Sequence, residues 1–359
     1  MQDKFFTGLK VVEFASVLAG PAVGMFFAEL GAEVIKIENK TTGGDVTRAW
    51  KQTSEDPDSS ISAYWCSVNW GKQHLFLDLR DPEDREMAFN IAITADLVIS
   101  NFKPTSARKM GFDASTLRNK NPRLIYAQLN AYADPEDESP AFDAVLQAEA
   151  GFLYMNGEAD RPPVKMPVAL IDILAAHQLK EAILIALLHR ERTGEGSEVS
   201  SSLLESALAS LANQASNYLM NGSIPQRMGS KHPNIAPYGD TYLCSDGQTL
   251  LLAVGTARQF SHLCVVLGLE SMLENPDFQI NSARVQHREA MNVLLADRIE
   301  QLTLEDAMTK FQAHGVPAAR IRDMKSVFEL PAAQSMILEE KTADGTMTKR
   351  VKTIAFKIG

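Results

Sequence analysis

Between Leu9 and Leu129 short apolar runs alternate with helical stretches, and this alternation restricts the fold more than any other feature of the chain. LKVVEF (Leu9–Phe14) reads as a strand. ASVLAGP follows, with Pro21 suited to a first helical turn, and a helix runs on to about Leu30. Gly31 ends it, and EVIKIE (Glu33–Glu38) is the next strand, completing one βαβ unit. KQHLFLDL (Lys72–Leu79), DLVIS (Asp96–Ser100) and PRLIYAQL (Pro122–Leu129) add three strands. Between the first two of these, Asp81-Pro82 with Glu83 and Asp84 marks a helix start. Short helical stretches around Arg108 and Leu117 separate the last two. The pattern predicts an α/β fold with a doubly wound, Rossmann-like, mainly parallel sheet covered on both faces. Ligands of such sheets bind beyond the carboxyl ends of the strands, where the strand order reverses.

A dinucleotide is the first ligand to consider, because Glu38 stands near the place of a ribose-binding acid. The glycines argue against it. Gly20 and Gly24, with Pro21 between them, do not form G-x-G-x-x-G, so the pyrophosphate turn is missing. Residues 39 to 71 are polar and turn-rich, with Gly43-Gly44-Asp45 and the run Ser54 to Ser60, and are expected to cross the surface. Asp134 to Glu138 is read as a solvated acidic run.

From Pro167 to Gly196 one carboxylate, Asp172, lies between the apolar run Val168–Ile171 and a long helical pattern. Ala176, Leu179, Ile183, Ala186 and Leu187 recur at i, i+3, i+4, and the helix is expected to stop at Gly194 behind His189, Arg190 and Arg192. Asp172 is open to two readings: a helix N-cap, or a half-buried carboxylate nucleophile at the helix N-terminus. Ser202-Leu203-Leu204-Glu205 is a capping box. It opens a second long helix with an expected core face of Leu204, Leu208, Leu211, Ala215 and Leu219, closed by Asn221-Gly222. Its small residues Ala207, Ser210, Ala212 and Ser216 would permit close packing.

The texture changes near Ser223. A loop, Gly229–Gly239, precedes an expected hairpin from Thr241 to Ala253 around Asp246-Gly247. Helices are expected around Leu263, Val266 and Leu267, from Ala290 toward Leu302, and from Leu304 to Ala313, with Gly315-Val316-Pro317 as a break. This divides the chain into a large α/β domain, 1–222, and a small α+β domain, 223–325. Residues 326–359, strand-like from Met347 to Ile358, are expected to return to the large domain.

With 45% apolar and 22% charged residues the 359-residue chain reads as a soluble globular protein. Its net charge of −10, spread along the chain, speaks against nucleic-acid or membrane-surface partners. Cys66, Cys244 and Cys264 are far apart and read as free thiols in a reducing compartment. No apolar run is long enough for a membrane span, and MQDKFFTGLK has no signal-peptide core. These features predict a cytoplasmic protein. His177, His189, His232, His287 and His314 are scattered, and without H-E-x-x-H or C-x-x-C no metal site is expected. The P-loop and the G-x-S-x-G elbow are also missing.

Several stretches together resemble the family III CoA-transferases, a group that includes formyl-CoA transferase, carnitine CoA-transferase and 2-methylacyl-CoA racemase. They are LKVVEFASVLAGPAVGMFFAELGAEVIKIE, GGDVTRAW, NWGKQHLFLDL, ADLVISNFKPTSARKMGF, NPRLIYAQL and FDAVLQAEAGF. The match continues through ALLHRERTGEG, KHPNIAPYG, NSARVQHREAMNVLL and HGVPAARI, in the family's order. The resemblance implies that Asp172 is the catalytic aspartate, working through an acyl–aspartyl anhydride and an aspartyl-CoA thioester. It implies loop backbone at Ala19 and Gly20 as the candidate for stabilising developing charge. It further implies CoA contacts at Leu77, Asp78, Leu79, Asn101, Phe102, Lys109 and Met110, with Lys72 as a weaker phosphate candidate. The expected partners are an acyl-CoA donor, a carboxylic acid acceptor and a second copy of the chain in an interlocked homodimer. CoA is a substrate, and no cofactor is expected to stay bound.

Three departures qualify the resemblance. Asn39 stands where the family usually has Arg, and the neighbouring Lys40 is the candidate for the missing phosphate contact. Leu18 replaces the Gln of the formyl-CoA enzymes, which speaks against formyl and oxalyl substrates. A terminal helix common in relatives is not matched before Gly359. The family's racemases need two acid/base groups, one a His directly before an Asp. Here that place is Phe142, before Asp143, and GTARQF carries no partner acid. Phe moves no proton, so transfer is favoured over 2-methylacyl-CoA racemisation. A non-catalytic CoA-binding protein is the third reading, and Asp172 speaks against it.

Overall fold

Apolar runs at Val11–Val12, Leu97–Ile99 and Ile125–Ala127 are fully buried, the signature of central parallel strands covered on both faces. The computed structural model describes residues 4–134, 136–137, 139–342 and 345–358. Pro135 and Glu138 of the expected acidic run lie outside it; Glu136 within that run pairs with Arg108 at 3.0 Å.

The chain divides into two compact units. The first holds residues up to Phe152, Lys165–Asn213 and the residues from Gln334 on. Its strands are β1 (Lys10–Glu13), β2 (Glu33–Asn39), β3 (Lys72–Leu77), β4 (Leu97–Ser100), β5 (Ile125–Asn130) and β6 (Glu198–Ser202). They form one parallel sheet in the order β3-β2-β1-β4-β5-β6, which reverses direction between β1 and β4. The helices of this unit are α1 (Ala19–Glu29), α2 (Ala63–Cys66), α3 (Pro82–Ile93), α4 (Pro104–Met110), α5 (Ala114–Lys120) and α6 (Asp143–Glu149). The short α7 (Phe152–Met155) follows; then come α8 (Leu170–Thr193) and α9 (Leu203–Ala209). The mixed α/β class and the parallel sheet agree with the sequence.

One core cluster packs α1 and α8 against β1, β4 and β5 through Phe27, Ile99, Ile125, Leu179 and Ile183. Another, on Phe112, Leu117 and Leu124, lies under α4 and α5. Two glycines allow α1 to come this close. A Cβ at Gly20 would collide with the Ala15 side chain, and one at Gly24 with the Glu13 carboxylate. Asp81 caps α3 as expected, accepting from the amides of Glu83 and Asp84. Gly194 ends α8 at φ 80°. The tail strands β10 (Ile337–Lys341) and β11 (Met347–Val351) form a two-stranded antiparallel pair. Beyond them the buried Glu29 carboxylate accepts from the amides of Thr353 and Ile354.

Two expectations fail here. Residues 39 to 71 do not simply cross the surface: Asp45, Thr47, Ser62, Trp65 and Val68 are buried. The second long helix is broken. Ser202 caps α9, but α9 ends at Ala209, and α10 (Ala212–Asn221) starts with Ala212 at φ 49°. Ser206 and Ser210 hydroxyls donate to the carbonyls four residues back, at 2.6 and 2.8 Å, a bond that bends helices. The expected core face is lost with the break: Leu208 and Leu219 are exposed, while Leu203, Ser206 and Ala207 are buried.

The second unit contains 153–164 and 214–333. Here β7 (Tyr238–Leu243) and β8 (Thr249–Ala253) form the expected hairpin, and β9 (Ala318–Arg320) pairs beside β8. α11 (Ala257–Leu267), α12 (Pro276–Gln279), α13 (Asn281–Gln286), α14 (Arg288–Ile299) and α15 (Leu304–Ala313) surround a core on Phe260, Leu263, Leu295 and Phe311. Arg288 ties the 232–240 loop down, donating to Asp240 and to the carbonyls of His232 and Ile235. All three cysteines are buried and free.

Candidate functional site

At the carboxyl ends of β1–β4 the first unit opens a cavity of about 1110 Å³. Its walls come from Phe14–Ser16 after β1, Lys36–Asn39 at the end of β2, Leu77–Arg80 after β3 and Asn101–Lys103 after β4. This is the strand-order reversal, where an open α/β sheet parts the loops of neighbouring strands. Leu77, Asp78, Leu79, Asn101, Phe102 and Met110 line it, whereas Lys40, Lys72 and Lys109 do not.

Lys72 is the clearest correction. Its ammonium is buried, 2.8 Å from Glu13, and donates also to the Pro21 carbonyl and the Asn69 side chain. All three donor hydrogens are consumed in the interior, so it is a core cation and not a phosphate ligand. Lys40 is mostly exposed, 3.7 Å from Asp84. Asn39 accepts from the Thr41 amide and caps a short turn, Lys40–Thr42. Arg80, Lys51 and Lys103 are cations of the cavity lining that the sequence reading missed, and Arg80 stands beside Asp78. The Arg80 side chain is 74% exposed, pairs with Asp78 at 3.0 Å and donates to the Thr41 hydroxyl at 3.2 Å.

Glu38 is also spent internally. Arg48 grips it with two 2.7 Å bonds, His74 approaches to 2.7 Å, and the Asp45 amide donates to it at 2.7 Å. Burial pushes its pKa up, but the bonds from Arg48 and His74 outweigh this and hold it well below the usual carboxylate range. Arg48 in turn lies 4.0 Å over the Trp65 ring. Deeper still, Lys36 bridges Glu13 at 2.8 Å and Asp45 at 3.1 Å and donates to the Ala15 carbonyl at 2.6 Å. Burial acts to lower the Lys36 pKa, and the charges of Glu13 and Asp45 raise it further than burial lowers it.

A second cavity of about 300 Å³ is lined by Val17, Trp50, Tyr64, Phe142, Asp143 and Asp172, among others. Ser16 lines the large cavity and Val17 the small one, so the loop after β1 borders both. Val17 is a β-branched residue at φ 73°, a conformation such residues rarely adopt. Its amide donates to Asp45 at 3.2 Å. Ala19 and Gly20 are not loop residues but the first turn of α1, which follows Leu18. The first amides of a helix have no partner within it.

Asp172 is the third residue of α8, not its cap; Ala169 holds the cap position and has no capping side chain. The cap bond comes from elsewhere: Asp143 Oδ1 accepts from the Ile171 amide at 2.7 Å. Gln147 donates to Asp143 Oδ2 at 2.6 Å and accepts from the Met166 amide at 2.8 Å. Asp172, only 8% exposed, receives no hydrogen bond among the described residues. Burial, and then the charge of Asp143, push its pKa up to about 7. A helix N-terminus favours the anion by up to ~2 kcal/mol, less than the ~4 kcal/mol that a shift of this size represents. A buried carboxylate with a strongly raised pKa, lining a cavity, is a candidate for a functional residue. Burial, with the charges of Asp172 and Asp143, also raises Tyr64 to about 12.

Among the described residues no cluster of His, Cys, Asp and Glu could hold a metal, and no helix is long and apolar enough to cross a membrane.

Comparison with known proteins fits this geometry. Residues 6–358 match CoA-transferase family III. The chain is 36% identical over 354 residues to the succinate–glutarate CoA-transferase of Agrobacterium fabrum, covering 97% of this chain and 88% of that one. It is 30% identical over 326 residues to human succinyl-CoA:glutarate CoA-transferase, covering 90% and 73%. A crystal structure of a CAIB/BAIF family protein from Brucella suis superposes with a TM-score of 0.83 at 37% identity, covering 99% of this chain and 93% of that one. A family match over nearly the whole chain, together with one fold shared at this identity, shows that the protein belongs to CoA-transferase family III and is an enzyme of that kind.

Proposed function

We propose that the protein moves CoA from an acyl-CoA to a free carboxylic acid with Asp172 as the nucleophile. The observation that carries this reading is the buried, unbonded Asp172 carboxylate beside a strand-end cavity. CoA lies in the large cavity along Leu77–Leu79 and Asn101–Phe102, its phosphates near Arg80 and Lys40 and its thioester toward Val17 and Asp172. The Asp172 oxygen attacks the thioester carbonyl; a C–O bond forms, the C–S bond breaks, and an anhydride and CoA thiolate result. The thiolate attacks the aspartyl carbonyl, forming a C–S bond and releasing the first acid as carboxylate. The incoming carboxylate attacks this aspartyl-CoA thioester, giving a new anhydride and thiolate. Attack of that thiolate on the acyl carbonyl frees Asp172 and the new acyl-CoA. No step needs a proton, which suits a site whose small cavity has no general base besides its carboxylates. The amides at the start of α1 are the candidate stabilisers of the tetrahedral oxyanions.

Because the two relatives above are named for succinate and glutarate, short dicarboxylates are the first donors and acceptors to test. Incubation with succinyl-CoA and glutaryl-CoA leaves an adduct on the Asp172 peptide that hydroxylamine or borohydride traps. Asp172→Asn abolishes adduct and turnover. A turnover-competent Asp172→Asn variant overturns the reading. Racemisation is tested separately: a 2-methylacyl-CoA in D₂O acquires no deuterium at Cα, because the exposed Phe142 ring offers no base.

A further inference from the structure

We infer that Asp45 is a positioning residue for the chemistry at Asp172, acting by holding Val17 in its left-handed conformation. The inference rests on the nucleophile reading above.

The turn Ala15–Val17 is clamped at each residue. Lys36 donates to the Ala15 carbonyl at 2.6 Å, and the Asn101 side chain both accepts from and donates to Ser16, at 3.2 and 3.1 Å. Among the described residues Asp45 is the one that accepts the Val17 amide, at 3.2 Å. A valine at φ 73° persists only where its surroundings hold it there, and strain of this kind gathers at functional sites. Glycine would adopt the same backbone freely, yet the residue here is a valine, and it lines the Asp172 cavity. The chain thus combines a cavity-lining residue with a backbone that its side chain disfavours, and Asp45 reconciles them.

The same carboxylate fixes a second wall. Asp45 Oδ1 accepts from the amide and hydroxyl of Thr47 at 3.1 and 2.8 Å, capping the turn Val46–Ala49. Trp50, next in the chain, lines the Asp172 cavity. Asp45 is itself buried and held 3.1 Å from Lys36, which Glu13 anchors from the other side. One anchored carboxylate therefore sets Val17 and Trp50 at once without touching the reacting atoms.

The experiment is a double-mutant cycle with Val17→Gly, read on Asp172 adduct formation in a single turnover and on steady-state turnover. Asp45→Ala slows both by about tenfold or more in the wild-type background. In the Val17→Gly background, where φ > 0 costs nothing, the same substitution slows them at least about threefold less than in the wild type, the remainder being the loss at Trp50. Should Asp45→Ala fail to fold, Asp45→Asn, which can still accept one amide, carries the same comparison with smaller losses. An equal loss in both backgrounds, or no loss in either, overturns the inference. A wild-type enzyme without an Asp172 adduct overturns the nucleophile reading instead, while the turnover ratio still decides the role of Asp45.

Discussion

Asp143 and Asp172 share one small cavity, and the first holds the helix on which the second stands. The Asp143 carboxylate takes the Ile171 amide at 2.7 Å, one residue before Asp172, and its charge disfavours a second anion beside it. One residue thus holds the backbone beside Asp172 and raises its pKa.

The pH dependence follows from this pair. Burial and the charge of Asp143 push the Asp172 pKa up to about 7, and in the proposed mechanism only the anion attacks. Adduct formation should therefore rise with pH through about 7 and level off above it. Asp143→Asn keeps an acceptor for the Ile171 amide and removes the charge, so the midpoint should move to lower pH. A single-turnover profile that is flat from pH 5 to pH 8, within about twofold, contradicts the assignment.

Stability should respond in the opposite sense. The folded Asp172 binds its proton up to about pH 7, whereas the unfolded chain releases it near ~3.9. The folded state thus binds more protons in this window, and stability falls as pH rises through it. The cost is fully present above pH 7 and absent below about pH 4. Asp172→Asn should raise the denaturation midpoint at pH 8, by up to ~4 kcal/mol of stability, and leave it unchanged at pH 3.5. A variant less stable than the parent at pH 8 would show that Asp172 is a structural residue.

Lys72 and Arg80 should separate folding from binding. Lys72→Ala leaves one side of the buried Glu13 carboxylate unpaired and should cost about 3–5 kcal/mol in denaturant unfolding. CoA affinity of the folded fraction, measured by calorimetry, should hold. Arg80→Ala, at a side chain 74% exposed, should change stability by less than ~1 kcal/mol and weaken CoA binding about tenfold. The reverse pattern would restore Lys72 as the phosphate ligand.

Assembly gives the fourth expectation. Leu219 and Met220 are 79% and 81% exposed on α10, and Tyr218 and Ile224 stand open beside them in the sequence. Exposed apolar clusters of this kind mark protein interfaces. The protein should be a homodimer that persists on dilution to low micromolar concentration, in keeping with the interlocked pair that the family resemblance implies. A monomer mass in light scattering under those conditions would refute this. Substituting Leu219 and Met220 with Ser should weaken the dimer without unfolding either unit.

What the sequence determined by itself is what local periodicity and local capping encode. β1–β5 fall on the five apolar runs of the first half, the 246–247 turn joins a hairpin, and α15 spans Leu304–Ala313 as its pattern predicts. Ser202 and Asp81 cap the helices they precede, because a cap reaches only two or three residues along the chain. The motifs identified the family for the same reason.

Tertiary structure decided the environment of each charge. Glu13, Lys36, Asp45 and Lys72 look like ordinary polar positions in the sequence, yet they meet in the interior, Glu13 reaching Lys36 and Lys72 across 23 and 59 residues of chain. Nothing in a linear pattern distinguishes a buried Lys72 from an exposed one, since the Glu13 that neutralises it arrives from another strand. The break between α9 and α10 falls at Ala212, φ 49°, just after two serine hydroxyls that return to carbonyls inside a pattern that reads as continuous helix. The pKa of Asp172 likewise depends on Asp143, 29 residues away in sequence and brought alongside only by the packing of α6 on the start of α8. Periodicity is a property of neighbours in the chain; reactivity here is a property of neighbours in space.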